Sequence, residues 1–270
     1  MRPLWLVKIF KSAYRNRNIM FRMTRLPIIG RLIAKGLEED ALICLPKDNV
    51  IKVNESLDLP NQTVLPSQIV EYFIKKASHR WIMNFCICRT SNECKNYPRE
   101  HGCLFLGEAV LKINPEFGKL VSVDEALEYV KICREEGFVH FIGRNKLDEL
   151  WLGANPGEKL LTVCNCCPCC CISGGIKYMA DEFRDKYSKM SGVEVKVDRN
   201  KCVGCGSCEK ICIYDGIFVV KEKAVILEDK CMGCGRCVSQ CPKKAISLTL
   251  NDKEFLEKSI QRISKYVDIE

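Results

Sequence analysis

The sequence predicts an α+β protein, in which a cysteine-rich α/β-type body precedes a compact cysteine-rich module that ends in a C-terminal helix. Two observations lead to this prediction. Helical and strand-like apolar patterns alternate between about residue 67 and residue 163. A run of four cysteines then occurs twice, with Cys202 starting the first run and Cys231 starting the second. We expect three regions, which are an arm (residues 1–36), the body (residues 37–192) and the module (residues 193–270).

Cysteine dominates the composition, with twenty of 270 residues, so the first question is what holds the thiols. Disulfide frameworks of this density belong to short secreted chains, whereas the basic N-terminal residues do not resemble a secretory signal. The longest charge-free run, residues 160–176, contains Pro168 and several cysteines, so we expect no membrane-spanning helix. The sequence therefore predicts a cytoplasmic protein whose thiolates bind metal, with peripheral membrane contact left open.

The arm, residues 1–36, is basic and amphipathic. It contains nine Lys and Arg residues and no acidic residue, although the net charge of the whole chain is only +8. Apolar residues are interleaved with these cations, which predicts one or two amphipathic helices interrupted near Pro27 and Gly30. Two interpretations stay open: the arm docks on an anionic membrane surface or an acidic partner, or it packs on the body with its basic face in water. No motif for nucleic acid binding accompanies the charge, so we expect no such partner.

The body alternates predicted helices and strands. Ser67 is expected to cap one helix, and Ser122 with Glu125 forms a capping-box pattern for a second helix that ends at Gly137. Short apolar runs predict strands at residues 81–85, 138–142 and 160–163. The first and the last of these strands each lead directly into a group of cysteines. A charged helix is predicted at residues 176–190, between the body and the module.

The two cysteine runs of the module form the strongest pattern in the sequence. Each has the spacing C-x2-C-x2-C-x3-C, and the second ends in Cys241-Pro242. Glycines between the cysteines allow the backbone to approach a bound cluster and to direct N–H groups at its sulfurs. Residues 217–220 and 224–227, between the runs, predict a β-hairpin that turns at Glu222-Lys223.

The module resembles the bacterial two-cluster ferredoxins, which carry two 4Fe–4S clusters on this spacing. The resemblance implies that each cluster takes its fourth ligand from the other run. The implied ligand sets are Cys202, Cys205, Cys208 and Cys241 for one cluster, and Cys231, Cys234, Cys237 and Cys212 for the other. The chain departs from the family pattern at Ile213, where a symmetric module would have proline. All eight ligands are present, so we expect two clusters here.

A first group of body cysteines has the spacing C-x-C-x5-C-x8-C. Its members are Cys86, Cys88, Cys94 and Cys103. Four thiolates are sufficient for one 4Fe–4S cluster or for one zinc ion, and we favour a cluster because an iron–sulfur module follows in the same chain. Cations among these cysteines, such as Arg89, would offset the negative charge of a cluster, or bind an anionic substrate or acidic partner.

A second group is denser, with six cysteines in eight residues. Its members are Cys164, Cys166, Cys167, Cys169, Cys170 and Cys171. A single cube takes four ligands, so these thiols exceed one ordinary cluster. They could supply more than one cluster, complete the site of the first group, hold a cluster of unusual nuclearity, or include redox-active thiols. We expect metal ligation, and one or two further iron–sulfur clusters in the body. Cys44 and Cys133 stand apart. We expect Cys133 to be buried on the second predicted helix, and Cys44 either lies in the core or stays unassigned.

As a whole, the chain resembles the cysteine-rich iron–sulfur proteins of strict anaerobes and methanogens. Neither a dinucleotide-binding glycine motif nor a phosphate-binding loop occurs in the sequence. We therefore expect low-potential electron transfer between a redox partner protein, the clusters of the module and the further clusters of the body. The alternatives are a reductase with an unusual catalytic cluster at Cys164–Cys171, and a redox sensor or cluster-handling protein.

Overall fold

The structure is a computed structural model that describes residues 2–36, 41–53 and 65–270. It is 42% helical and 19% strand, which confirms the α+β prediction. The helices are α1 (Leu4–Arg15), α2 (Arg17–Met23), α3 (Pro27–Gly36), α4 (Ser67–Lys76), α5 (Ile87–Ser91), α6 (Val123–Glu135), α7 (Lys146–Leu152), α8 (Asp181–Arg184), α9 (Ser207–Ile211), α10 (Arg236–Gln240) and α11 (Phe255–Ser264). The strands are β1 (Ala41–Cys44), β2 (Ile51–Val53), β3 (Arg80–Met83), β4 (Leu104–Leu106), β5 (Gly118–Leu120), β6 (Val139–Arg144), β7 (Leu161–Cys166), β8 (Tyr187–Lys189), β9 (Val193–Val197), β10 (Ile217–Val220), β11 (Lys223–Ile226) and β12 (Ile246–Leu250).

A seven-stranded sheet organises the body, with the strand order β5-β3-β4-β7-β6-β1-β8. Its neighbours are antiparallel except β1 and β8, which are parallel. The three predicted body strands correspond to β3, β6 and β7. The central strand β7 continues past its predicted end at residue 163, and Cys164 lies opposite Phe141 while Cys166 lies opposite Val139. The second cysteine group therefore begins inside the sheet and leaves it at the end of a central strand.

One hydrophobic core is shared by the body and the module. It buries Ile74 of α4 and Val130 of α6 together with Val163 of β7, and it continues to Leu248 of β12 and Ile263 of α11. The second sheet also combines the two regions, because β2 pairs with β12 in the strand order β2-β12-β9. Since apolar burial is the main driving force of folding, completing this core needs residues of both regions.

Local patterns located one helix start correctly and missed another. The capping box of Ser122 and Glu125 is present at the start of α6, as predicted. Ser67, however, is the first residue of α4 and not its cap. Its backbone N–H donates to Asp48 Oδ1 at 3.1 Å, so a carboxylate distant in sequence replaces the predicted local cap.

Residues 176–190 do not form the predicted helix. A 3-10 helix (Ile172–Tyr178), the one-turn helix α8 and the strand β8 occupy this stretch. Thr24 Oγ1 of the arm accepts a hydrogen bond from the backbone N–H of Ala180, and β8 pairs with the edge of β1. Contacts with the arm and the sheet edge therefore override the local helical spacing.

The arm forms three helices, not one or two. Asn16 separates α1 from α2, and Pro27 begins α3, where its missing N–H is not needed. Gly30, predicted to interrupt a helix, lies inside α3. Phe21 of α2 is buried against the body. No helix among the described ranges is long and apolar enough to cross a membrane.

Candidate metal centres

The eight module cysteines occupy two loop–helix units of the same shape. Gly206 and Gly235 adopt the left-handed conformation, with φ of 74° and 79°, and each precedes a five-residue helix, α9 or α10. The third cysteine of each run lies on this helix, and the fourth, Cys212 or Cys241, ends it. Between the units, β10 and β11 form the predicted hairpin, with its turn one residue earlier than predicted, at Lys221-Glu222.

Backbone N–H groups point at the sulfurs of the fourth cysteines. Gly216 donates to Cys212 Sγ at 3.3 Å, and Ala245 donates to Cys241 Sγ at 3.2 Å. Each donor follows its cysteine by four residues, so the two runs repeat in structure as well as in spacing. Such hydrogen bonds favour the thiolate, which is the form that binds iron.

The fourth cysteine of the first run lies with the second run. Cys212, Cys231, Cys234 and Cys237 line one cavity, and they are the four residues that the resemblance assigns to one cluster. Burial raises the pKa of Cys231 to about 11, and burial with the neighbouring thiols raises that of Cys237 above its usual range. A shared metal relieves this repulsion, so the donor set fits an iron–sulfur cube.

The ten predicted ligands of the body do not sort into the two sequence groups. Cys94, which belongs to the first group in sequence, lies in space beside three cysteines of the second group. The resulting quartet is Cys94, Cys167, Cys169 and Cys170, with all four Sγ atoms within 4.8 Å of one another. The remaining thiols, which we call the six-thiol centre, are Cys86, Cys88, Cys103, Cys164, Cys166 and Cys171. Each sequence group therefore supplies three cysteines to this centre.

Strand register explains how the two groups meet. Leu104 of β4 pairs with Val163 of β7, so Cys103 and Cys164, each one position away, come side by side with their Sγ atoms 3.8 Å apart. Cys86 and Cys88 enter the same region at the start of α5. Neighbouring strands thus assemble a centre from segments that lie far apart in the sequence.

Short sulfur contacts continue through the six-thiol centre. Cys171 Sγ lies 2.8 Å from Cys166 Sγ. Hydrogen bonds with Cys166 and Cys88 hold the pKa of Cys171 well below its usual value. Hydrogen bonds with Cys103 and Cys166, together with burial, raise the pKa of Cys164. A hydrogen bond with Cys88 lowers the pKa of Cys86 as well, so thiols of unequal acidity lie side by side in this centre.

Comparison with protein families identifies the module. Residues 195–248 match the family model of the 4Fe-4S dicluster domain, and they contain all eight module cysteines. The chain is an iron–sulfur protein. The body cysteines of this iron–sulfur protein lie outside the matched residues. A search of curated proteins gave no significant match to the chain.

Arg89 is part of the framework of the body centres. Its side chain is 1% exposed and lies over the Phe138 ring, 4.3 Å from the centroid. It donates to the carbonyl oxygens of Pro98 and Asn165, each at 2.7 Å, and to that of His101. Burial alone would lower its pKa, but the neighbouring cysteine thiolates raise it above the usual range. Arg89 offsets thiolate charge, and its burial leaves no surface for an acidic partner.

Two contacts that the sequence patterns did not reveal connect the module to the six-thiol centre. Arg236 donates from Nη2 to the carbonyl oxygen of Cys166 at 2.5 Å. Tyr214 Oη lies 3.4 Å from Ser173 Oγ, which in turn donates to Cys171 Sγ at 3.3 Å. Arg236 is adjacent in sequence to Cys237, and Tyr214 lies two residues after Cys212. Both of these cysteines are predicted ligands of the same cluster.

The internal repeat contains a signal for one of these contacts. Arg236 occupies the position that Ser207 occupies in the first run, so the two halves differ there.

Ile213, which replaces the proline of the family pattern, packs against the body. A Cβ added to Gly174 of the body would lie 3.5 Å from the Cβ of Ile213. Cys44 is fully buried, and burial together with Cys234 raises its pKa, which places it near the module ligands.

Proposed function

We propose that this iron–sulfur protein transfers single electrons at low potential between a redox partner and a further iron–sulfur centre in its own body. The module cysteines would hold two cubes in the ligand sets given above, and the six-thiol centre would hold the further cluster. When bound, such clusters supply reversible one-electron chemistry. The exposure of Cys205 supports exchange of electrons with the partner through the first ligand set.

The pair of contacts between the second ligand set and the six-thiol centre supports this proposal most. Arg236 and Tyr214 each follow a module ligand closely in sequence, and each reaches a residue of the six-thiol centre or its direct neighbour. All four residues that make these two contacts are buried. Both centres are therefore held in a fixed relation in a medium of low dielectric constant.

The experiment compares iron content and EPR spectra of the anaerobically purified wild type and Cys171→Ser. The two module cubes account for about eight irons. We expect more than eight irons in the wild type and only the irons above eight to be lost in Cys171→Ser. Cys133→Ser is the matched control, because Cys133 is also buried but lies outside the centre.

The same samples test the relay, by which we mean electron transfer between the module cubes and the six-thiol centre. In the fully reduced wild type, the EPR signal of a module cube should be split by the spin of the body centre, and Cys171→Ser should remove this splitting. A wild type with about eight irons and a spectrum identical to that of Cys171→Ser would contradict the relay.

A reductase is the second candidate, and the number of thiols favours it. Six thiols exceed the four that one cube takes, so a cluster of larger nuclearity or a redox-active thiol pair could perform chemistry at this centre. Addition of cyanide to the reduced protein discriminates the two functions. A change in the EPR signal of the body centre indicates an open iron position and favours the reductase, whereas no change favours electron transfer.

We also propose that the arm docks this protein on an anionic membrane surface. Large apolar side chains on the arm are strongly exposed, including Ile28 at 77%, Leu32 at 69% and Trp5 at 62%. Arg15 and Arg31 are exposed on the same helices. Exposed apolar side chains among cations are the pattern of helices that lie in a membrane interface.

A further inference from the structure

The quartet of Cys94, Cys167, Cys169 and Cys170 is the most compact group of thiols in the described part of the chain. Cys169 Sγ lies 3.6 Å from Cys94 Sγ, 3.7 Å from Cys167 Sγ and 3.5 Å from Cys170 Sγ. The four sulfurs therefore form a compact group in which every pair lies within 4.8 Å.

These sulfur–sulfur distances are close to those around a single metal ion with four thiolate ligands. A zinc–sulfur bond of about 2.3 Å in tetrahedral geometry places neighbouring sulfurs about 3.8 Å apart. A 4Fe–4S cube carries each thiolate on a separate iron, so its four sulfurs must lie farther apart. The module provides the comparison within this chain: its eight cysteines match a 4Fe-4S family, yet no three of them lie within 4.8 Å of one another in the described residues.

We infer that the quartet binds one zinc ion, closed by four cysteine ligands, and not an iron–sulfur cluster. Two loops meet at this site. Cys94 belongs to residues 92–103, which form no helix or strand, and the other three ligands lie in the turn that follows β7. A closed four-cysteine site is typical of structural zinc, which holds irregular segments together.

Backbone N–H groups support the thiolate form on both loops. Cys170 donates its N–H to Cys167 Sγ at 3.2 Å. Burial raises the pKa of Cys94, but the N–H groups of Asn96 and Tyr97, with neighbouring thiols, lower it below its usual value. Donors of this kind orient thiolates and balance their charge around a metal.

The position of the quartet indicates what the ion does. Cys94 lies in sequence between Cys88 and Cys103, and the other ligands lie between Cys166 and Cys171. These four flanking residues all belong to the six-thiol centre. One zinc ion would therefore fix the two loops whose ends carry that centre, while remaining at the surface, where Cys169 is exposed.

The test measures metals in the full chain purified anaerobically. We expect one zinc per chain, with four sulfur neighbours at about 2.3 Å by zinc K-edge X-ray absorption. Cys169→Ser should lower the zinc content at least tenfold and leave the EPR signals of the module unchanged. Cys169 is exposed, so its serine variant should fold, and Cys133→Ser should keep its zinc.

A second measurement does not depend on any variant. Cells grown with Co²⁺ in place of Zn²⁺ should yield wild-type protein with the absorption bands of tetrahedral cobalt–thiolate. The inference is overturned if wild-type protein takes up neither zinc nor cobalt, or if Cys169→Ser keeps its zinc. It is also overturned if that variant loses about four irons, the content of one cube. Zinc in a chain whose six-thiol centre lacks iron would sustain this inference and contradict the proposed relay.

Discussion

Arg236 donates a hydrogen bond from Nη2 to the carbonyl oxygen of Cys166, at 2.5 Å. The two residues belong to different centres, since Arg236 lies between the module ligands Cys234 and Cys237, whereas Cys166 is part of the six-thiol centre. Burial would lower the pKa of Arg236, but Tyr214 and the surrounding thiolates raise it above its usual range. A buried guanidinium thus lies between two sets of thiolates whose negative charge increases on reduction.

Arg236→Gln should lower the reduction potential of the nearest centres. Loss of a positive charge disfavours the reduced, more negative state, and we expect a shift of about 60 mV, which is about 1.4 kcal/mol for one electron. Redox titration followed by EPR measures the shift. Ser207→Gln is the matched control, because it places the same side chain at the equivalent position of the first run without loss of charge. Equal potentials in both variants would contradict a role for the Arg236 charge.

Asp148 should make the stability of the body depend on pH. Its carboxylate accepts hydrogen bonds from Trp151, Thr162 and Asn145, which lower the pKa, but burial dominates and raises it to about 6 from 3.8. Because the folded state then holds a proton that the unfolded state has lost, stability falls as pH rises from about 4 through 6 and is constant above.

The comparison with Asp148→Asn isolates this effect, since the variant cannot titrate there. Between pH 5 and pH 7, the wild type should lose about 1.4 kcal/mol of stability relative to Asp148→Asn. Thermal midpoints measured anaerobically at both pH values provide the test. A difference between the two proteins that stays constant with pH would show that Asp148 titrates normally.

Two adjacent glycines offer a matched test of how the arm packs. A Cβ on Gly175 would lie 2.1 Å from the Phe21 ring, whereas a Cβ on Gly174 would meet Ile213 at an ordinary 3.5 Å. Gly175→Ala should therefore force α2 away from the body and cost about 1–3 kcal/mol, and Gly174→Ala should cost much less. Thermal midpoint and the rate of tryptic cleavage at the arm measure the two effects. Equal protection of the arm in both variants would contradict this packing.

The module could be predicted from the sequence because its signals are local. Four ligands per run, the glycines that precede α9 and α10, and the hairpin between them all lie within short stretches of chain. The capping box of α6 was predictable for the same reason, since Ser122 and Glu125 are three residues apart.

The division of the body cysteines could not be predicted, because it depends on long-range register. The sequence spacing places Cys94 in one group with Cys86, Cys88 and Cys103. In the structure, the pairing of β4 with β7 brings Cys103 beside Cys164, whereas Cys94 lies with the cysteines that follow β7. The same limit applies to residues 176–190, where contacts with the arm, such as that of Thr24 with Ala180, and the pairing of β8 with β1 replace an otherwise helical pattern. Tertiary contacts decide in both cases.

The arm should bind vesicles that contain anionic lipid more strongly than neutral vesicles. Ile28→Asp removes an apolar side chain that is 77% exposed and adds a negative charge. Burying such a side chain in the interface contributes about 1.5–3 kcal/mol, so we expect at least a tenfold loss of binding. Leu111→Asp is the matched control, because Leu111 is also exposed, at 50%, but lies outside the arm.

Co-sedimentation of the anaerobic holoprotein with each kind of vesicle measures binding. Raised salt should weaken binding to anionic vesicles, since screening acts on exposed charges. Equal binding of wild type and Ile28→Asp, or no preference for anionic lipid, would show that the arm does not dock this protein on a membrane.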